Sequence, residues 1–409
     1  MRRNGSVVSV RVIDSNEEFL EAVATLNSGH GPLAIDAERA SGFTYSARAY
    51  LIQVYRRGAG TFLFDPPAIG NMSALTPLGE NDDWILHAAS QDLACLREVG
   101  IEPQRIFDTE LAARLLGLER VGLGAVVESQ LGIHLAKEHS AVNWSTRPLP
   151  EPWLVYAAAD VEHLPDLRDT LTELLTESAK LDFARAEFEA TRTRPEKVAS
   201  PHPWRRLSGL HTLRNPRQLA VARALWVERD RIAAERDVAP GRLIPDSSII
   251  AAAAAQADLS SQRDLANLRT FSGRESRGLI TNWWNALSAG KATEDIPPLR
   301  IPSDELPAPR LWRDKNPEAY ARLTVARHAI STHAEALNMP VENLLTPATL
   351  RSVAWTELEP LSVDTVSASL LRYGARPWQI RETAAVIAEA FEGSSEKLET
   401  LATSTSTDD

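Results

Sequence analysis

The stretch Leu33-Ala34-Ile35-Asp36-Ala37-Glu38 is a short apolar run that ends in two acidic residues. A run of this kind predicts a β-strand. Side chains alternate between the two faces of a sheet, so the strand would present Asp36 and Glu38 on one face. Two carboxylates that close repel each other unless a cation lies between them, and oxygen ligands suit Mg²⁺ or Mn²⁺. The alternative, which this pair taken alone favours, is two unrelated surface acids at a strand end.

Other short apolar runs around this stretch predict further strands, and helical patterns lie between and after them. Gly58-Ala59-Gly60 predicts a hairpin turn. A meander of strands that then alternates with helices indicates an α/β domain with a mixed sheet. The predicted strands are 33–35, 50–55, 61–64 and 84–86, and the predicted helices are 16–26, 90–99, 108–116, 123–131 and 152–177.

No strand pattern recurs after about Arg194, and proline-containing joints divide the rest of the chain into two helical units. A length of 409 residues fits two or three domains at about 150 residues each. The sequence therefore predicts an α/β domain over 1–194, helical domains over 204–292 and 310–393, and a polar, frayed tail over 394–409.

The composition is that of a globular protein with a formal net charge of −11, which excludes a polycationic nucleic-acid coat protein. The single cysteine, Cys95, can form neither an intrachain disulfide nor a thiolate zinc site, and it indicates a reducing compartment. The most apolar run, 249–255, is far shorter than a membrane span. We therefore expect a soluble cytoplasmic protein with no membrane partner, and nothing in the sequence identifies a protein partner.

Positive charge is concentrated in the first helical unit, where residues 201–291 hold 14 lysines and arginines against 8 aspartates and glutamates. A basic module joined to an acidic domain suggests contact with a polyanion. Solvation of helix faces by these side chains is the alternative, and the charge count alone favours it.

Two further groups of residues carry possible chemistry. Tyr156 and Asp160 are four residues apart in a predicted helix and so share one face of it. Asp92 falls in the first turn of another predicted helix, where the helix dipole favours a carboxylate. Each has a purely structural explanation, a half-buried tyrosine beside an exposed acid in the first case and a helix terminus in the second.

Taken together, these residues resemble the three motifs of the DEDD superfamily of 3′→5′ exonucleases. Asp36-x-Glu38 corresponds to the first motif, Asp92 to the second, and Tyr156-x-x-x-Asp160 to the third. The tyrosine four residues before the final acid is typical of the tyrosine subclass. Within that subclass the first 180 or so residues resemble the ribonuclease D family, and the quoted similarities continue in 51–54, 107–109 and 144–149.

This resemblance implies a ribonuclease H-like exonuclease domain with two divalent cations, Mg²⁺ or Mn²⁺. Asp36, Glu38, Asp92 and Asp160 would be the metal ligands, with Asp36 bridging the two ions. Tyr156 would orient the attacking water rather than act as a base, because a tyrosine with a pKa of about 10 is a poor base at neutral pH. The expected activity is metal-dependent release of 5′-mononucleotides from a free RNA 3′ end, and the family implies tRNA precursors as substrates.

The helical units resemble the same family. Residues 219–233, 244–246 and the helix that carries Trp283-Trp284 look like an HRDC domain, and the last unit resembles more weakly the second, HRDC-like domain of ribonuclease D. The family's aromatic residue after the first-motif glutamate is missing, because Arg39 stands there, and Phe43 or Tyr45 are candidates to replace it.

Three further residues are candidates for contact with nucleic acid: Arg147, Lys137 and Gln53. A helix-packing or surface role is an equal alternative for the two basic ones. Two other functions also remain open at this point. One is a DNA 3′→5′ exonuclease of the proofreading or repair type, and the other is a non-catalytic nucleic-acid adaptor, although all four acids are retained.

Overall fold

The computed structural model describes residues 11–135, 142–196, 198, 200–301 and 305–394. Lys137 lies outside these residues, as does the predicted polar tail apart from Ser394.

The first part of the chain is built on a six-stranded sheet in the order β1-β4-β3-β2-β5-β6. The central strands β2, β3 and β4 pair antiparallel, while β1, β5 and β6 each run parallel to a neighbour, so the predicted mixed sheet is confirmed. Strands β1 and β6 have only two and three residues and were not predicted from the sequence. The strands are β1 Val12–Ile13, β2 His30–Arg39, β3 Ala49–Arg57, β4 Gly60–Phe64, β5 Trp84–Leu86 and β6 Ile106–Asp108.

Helices pack against both faces of this sheet. The predicted helix over 152–177 is two helices that meet at His163, and Pro165 lies in the first turn of the second, where its missing N–H leaves no intrahelical bond unmade. The helices of this part are α1 Asn16–Asn27, α2 Pro66–Ile69, α3 Leu93–Glu98, α4 Thr109–Leu115, α5 Leu123–Leu131, α6 Glu151–Glu162, α7 Leu164–Glu177 and α8 Leu181–Arg192.

The next part of the chain is all-helical and has its own hydrophobic core. Trp204 and Trp283 lie in that core, and the Trp283 indole N–H donates to the Ser276 carbonyl at 3.1 Å. The helices are α9 Pro216–Arg236, α10 Pro240–Leu243, α11 Asp246–Ala254, α12 Gln262–Asn267, α13 Arg274–Gly278 and α14 Ile280–Ala292.

The last helical part shares one continuous core with the α/β part. The Trp378 ring stacks on Phe183 of α8 at a centroid distance of 4.4 Å, and its indole N–H donates to Glu187 at 2.8 Å. The two parts are therefore packed as one body. The helices are α15 Trp312–Lys315, α16 Pro317–Ala336, α17 Val341–Leu344, α18 Pro347–Trp355, α19 Val363–Arg372 and α20 Pro377–Glu392.

No helix within the described ranges combines the length and the apolar character needed to cross a lipid bilayer.

Candidate active site

Three of the predicted acids meet at one point of the fold. Asp36 and Glu38 come from β2 and Asp160 comes from α6, and one carboxylate oxygen from each lies within 4.8 Å of the others. All three side chains are partly exposed at the surface of a cleft. The grouping brings together residues that are more than 120 positions apart in the sequence.

The sheet register and one helix produce this grouping. Asp36 pairs with Gln53 and Glu38 with Leu51, so the two acids lie on one face of the sheet, as predicted. Helix α6 packs on the same face, with Ala157 and Ala158 buried against Leu51 and its neighbours. Small side chains let the helix approach the sheet closely, which brings the next turn of the helix to the two strand acids.

Tyr156 and Asp160 lie one turn apart on α6 and are joined by a side-chain hydrogen bond. Burial, followed by the negative charges of Asp160 and Glu38, raises the pKa of Tyr156 well above its usual range. The hydroxyl therefore keeps its proton and serves as a hydrogen-bond donor.

Asp92 reaches the cleft from a turn between β5 and α3. Ala88 in this turn has a φ of +63°, a backbone conformation that a non-glycine residue rarely adopts. The buried Asp108 carboxylate holds the turn by accepting the backbone N–H groups of Ala88 and Ala89 at 3.0 and 2.9 Å, while it also caps α4. The Asp92 side chain makes no capping bond to α3, so the helix-terminus explanation does not account for it.

The cleft has a volume of about 870 Å³. His87 lies in the wall of this cleft, as do the acids and the turn at 120–125. Its Nδ1 lies 2.9 Å from the Thr109 hydroxyl. Burial lowers the pKa of His87 to about 4, so the imidazole is neutral near pH 7. The side chains and backbone that line the cleft include Asp36, Glu38, Arg39, Ser41, His87, Gln91, Asp92, Arg120, Gly122, Tyr156 and Asp160.

The carboxylates of the cleft hold protons more tightly than free carboxylates do. Burial first, and then repulsion from the other acids, raises the pKa of Glu38 to about 9, of Asp92 to about 8 and of Asp160 to about 7. The pKa of Asp36 is also raised, mainly by burial. The cluster holds more acidic groups than basic ones, and a bound divalent cation would balance the charge of its carboxylates.

The residues present fit divalent cations. Three carboxylates that converge within 4.8 Å offer an all-oxygen donor set, which hard cations such as Mg²⁺ and Mn²⁺ prefer. Asp92 lines the same cleft but stands outside this close group, and its carboxylate is paired with Arg39 at 3.5 Å.

Two of the predicted nucleic-acid contacts are used inside the protein instead. Gln53 is fully buried in the sheet, away from any substrate. The Arg147 guanidinium donates to both oxygens of the buried Asp65 at 2.6 and 3.0 Å, and its remaining bonds go to backbone carbonyls, including that of Tyr50. Neither residue lines the cleft, so the structure assigns Arg147 and Gln53 to the folded framework.

Phe43 and Tyr45 do not replace the missing aromatic residue either. The Arg242 guanidinium stacks over the Phe43 ring at 4.2 Å, and the Tyr45 hydroxyl donates to Asp230 at 3.1 Å. Both aromatics therefore contact the helical module 204–292, and neither lines the cleft.

Asp237 is the centre of that docking contact. It ends α9 in the left-handed conformation and accepts hydrogen bonds from the Ser46 backbone at 2.8 Å and from the Tyr50 hydroxyl at 3.1 Å. Arg48 forms an ion pair with the same carboxylate. The helical module is thus fixed to the loop that follows β2.

Internal contacts use part of the module's positive charge. Arg229, for example, is buried and paired with Asp246 at 2.8 Å. Six exposed arginines form neither an ion pair nor a side-chain hydrogen bond within the described part of the chain and remain available to a polyanion. They are Arg206, Arg214, Arg263, Arg269, Arg274 and Arg277.

Sequence reasoning did not assign two basic residues of the cleft. Arg39 could have been found from its position directly after Glu38. Arg120 lies in a loop without any pattern, and only the folded structure brings it to the cleft wall.

Family models match three successive segments of the chain. Residues 10–176 match a 3′-5′ exonuclease, residues 218–287 match an HRDC domain, and residues 305–391 match a 3′ to 5′ exonuclease C-terminal domain.

Curated relatives are similar over part of their length. Ribonuclease D of Shewanella sp. strain ANA-3 is 33% identical over 270 residues, which are 64% of this chain and 68% of that protein. Ribonuclease D of Gluconacetobacter diazotrophicus is 34% identical over 225 residues, which are 52% of this chain and 54% of that protein. The chain thus spans between about half and two thirds of the length of these two relatives.

Solved structures match over most of the chain. A protein from Bifidobacterium adolescentis is 37% identical with a TM-score of 0.84, and the match covers 94% of this chain and 97% of that one. The Escherichia coli RNase D structure, described as an exoribonuclease involved in structured RNA processing, has a TM-score of 0.65 at 24% identity and covers 89% and 98%. The second match shows that the fold is the same.

Proposed function

The chain belongs to the ribonuclease D family, and from that premise we propose that it is a 3′→5′ exoribonuclease that depends on divalent cations and releases 5′-mononucleotides. The convergence of Asp36, Glu38 and Asp160 within 4.8 Å, beside Asp92 and Tyr156, is the observation that carries the proposal. Its substrates would be RNAs with a free 3′ end, tRNA precursors among them, and its place of action the cytoplasm.

In the proposed mechanism the four acids are divided between two metal ions. Asp36, Glu38 and Asp160 would hold one ion, and Asp36 with Asp92 would hold the other. When bound, the ions would lower the pKa of a water molecule and stabilise charge on the departing 3′-oxygen. Tyr156, whose proton is donated to Asp160, would accept a hydrogen bond from the attacking water and so align it, and its bond to Asp160 would hold that carboxylate in place.

The exposed arginines of the helical module would add affinity for the RNA backbone. Contacts of this kind carry no sequence information and weaken as the salt concentration rises. Docking of the module through Asp237 supports this role, because a fixed module can hold RNA at a constant distance from the cleft.

The direct test is hydrolysis of defined substrates by the full chain. A 5′-labelled tRNA with a short 3′ extension and a single-stranded DNA of equal length would be compared, each with Mg²⁺, with Mn²⁺ and with EDTA. Stepwise shortening of the RNA that stops with EDTA supports the proposal. Preference for DNA would favour a repair-type exonuclease, and binding without shortening would favour an adaptor.

We expect Tyr156→Phe to lower kcat by roughly 10²-fold, the usual cost of misplacing a reacting group by about 1 Å, and to leave KM nearly unchanged. Because the pKa of Tyr156 lies far above neutral pH, the pH profile of kcat should keep its shape. Single-turnover kinetics across pH would measure both. Tyr320→Phe, on α16 and away from the cleft, is the matched control, and a shifted profile in Tyr156→Phe would contradict the assignment of water alignment.

Stability in the absence of metal should fall as the pH rises. A carboxyl whose pKa is raised by folding stabilises the protein below its unfolded pKa of about 4, and this contribution is lost as pH rises through the folded value. For Asp160, Asp92 and Glu38 these values are about 7, 8 and 9. With EDTA, Tm should therefore fall from about pH 4 to about pH 9, and Mg²⁺ should raise Tm most at the upper end.

The matched control for this measurement is Asp160→Asn, which removes one titrating group. Its Tm with EDTA should fall less steeply over the same pH range. A wild-type Tm that rises with pH in EDTA would contradict the raised pKa values.

A further inference from the structure

Arg39 is the last residue of β2 and directly follows Glu38. Its Nη2 lies 3.5 Å from Oδ1 of Asp92, and the exposed fractions of the two side chains are 27% and 6%. Neither side chain forms another ion pair or side-chain hydrogen bond with any described residue. The contact is therefore the main polar interaction of both groups, and it lies inside the cleft.

The charge of the Arg39 guanidinium does not affect all four acids equally. Its positive charge lowers the pKa values of Asp36, Glu38 and Asp92 against the effect of burial, whereas Asp160 receives no such contribution. Arg39 thus lies on the Asp92 side of the cluster. The three acids whose oxygens converge within 4.8 Å do not include Asp92.

A cation beside a buried carboxylate has a clear physical effect on a second cation. The guanidinium balances the charge of the ionised Asp92 carboxylate, which would otherwise be buried and unpaired. A divalent ion that binds Asp92 must first separate this pair, and it is then repelled by the displaced guanidinium if that stays nearby.

We propose that Arg39 is a built-in counterion that competes with the second metal ion for Asp92, so that the two ions bind in sequence with unequal affinity. The ion held by Asp36, Glu38 and Asp160 binds first. The ion that needs Asp92 binds second and more weakly, because it must displace Arg39. This inference rests on the proposed function and names the residue that sets the metal requirement of that site.

The test is calorimetric titration of the metal-free full chain with Mn²⁺, which reports binding without turnover. The wild type should show two phases, one tight and one weak. Arg39→Met keeps the length of the side chain without its charge, and it should tighten the weak phase by about tenfold, which corresponds to 1.4 kcal/mol. A proton that binds Asp92 more tightly in this variant offsets only part of the gain, because a divalent ion carries twice its charge.

Three variants make the result specific. Arg39→Lys keeps the positive charge and should bind Mn²⁺ like the wild type. Arg120→Met removes from the same cleft a positive charge that forms no ion pair with any described residue, and it should change either phase a few-fold at most. In the Asp92→Asn background, Arg39→Met should no longer affect the remaining phase, and circular dichroism of each variant checks the fold.

The possible outcomes separate the two proposals. A wild type that binds no Mn²⁺ at all would overturn the proposed function itself. A wild type that binds Mn²⁺ in two phases, together with an Arg39→Met variant whose weak phase is unchanged or weaker, would overturn only the role of Arg39. Equal tightening by Arg120→Met would also overturn it, because general charge in the cleft would then explain the effect.

Discussion

Asp36→Ala is expected to abolish RNA hydrolysis, with a loss on the order of 10⁴-fold or more in kcat, because metal ions contribute several kcal/mol to stabilising the transition state. Asp36 is the acid that the proposed mechanism assigns to both ions. Its carboxylate converges with those of Glu38 and Asp160 within 4.8 Å, so its loss removes a ligand from the centre of the cluster. Hydrolysis of a 5′-labelled RNA under single-turnover conditions would measure the loss.

RNA binding by this variant should be largely retained, because the exposed arginines of the helical module are untouched. Asp36→Asn is the closest variant in shape and should be equally inactive, and in EDTA at about pH 9 it should be more stable than the wild type, since it lacks a carboxyl whose pKa folding raises. Asp182→Asn on α8, an exposed acid outside the cleft, is the matched control. Near-normal turnover by Asp36→Ala would refute the metal assignment.

Trp378→Ala is expected to lower the free energy of unfolding of the whole α/β body by about 3–5 kcal/mol, the usual cost of truncating a buried tryptophan. Trp378 belongs to the last helical part, yet it is 2% exposed because it packs on Phe183 and donates to Glu187. Removal of its ring leaves a cavity at the boundary and takes away one of the two hydrogen bonds that Glu187 Oε1 accepts, while the bond from Arg376 remains. Urea unfolding followed by circular dichroism, with RNase activity measured in parallel, would detect the loss.

Trp283→Ala supplies the matched control, because Trp283 is equally buried but lies in the separate core of the helical module 204–292. It should unfold that module and leave hydrolysis of a short oligonucleotide intact. Trp378→Ala should instead lower stability and activity together. Independent loss of the C-terminal part without loss of activity would refute the shared core.

This shared core also determines how the helical module can be removed. A chain cut after Ser200 would lose the C-terminal half of the core along with the HRDC module, so its activity would not report on RNA binding. Excision of the module alone is feasible, because its two ends meet where Arg205 donates to the Pro298 carbonyl at 2.7 Å.

Close contacts at this boundary explain residues that the sequence did not explain. Lys180 is buried, and its ammonium group donates to the carbonyls of Leu115 and Asn338 at 2.7 and 3.0 Å. Gly117 has a φ of +73°, and a Cβ there would lie 2.3 Å from the Asn338 carbonyl oxygen. Only glycine fits where these two parts of the chain touch.

The sequence by itself determined the local features of this protein. Strand periodicity placed Asp36 and Glu38 on one face of the sheet, and helical periodicity placed Tyr156 and Asp160 on one face of α6. The Gly58-Ala59-Gly60 turn determined the hairpin between β3 and β4. These features depend on neighbours two to four residues away, so the order of residue types is enough to specify them.

Only the tertiary structure decided which distant side chains satisfy one another. In the folded chain Arg147 pairs with Asp65 and Arg39 pairs with Asp92. Phe43 and Tyr45 contact the helical module. The sequence does not distinguish an arginine whose guanidinium is paired from one whose guanidinium is free. Whether a charge is left for a ligand depends on which opposite charge the fold brings within about 4 Å of it, and that distance is set by packing between elements far apart along the chain.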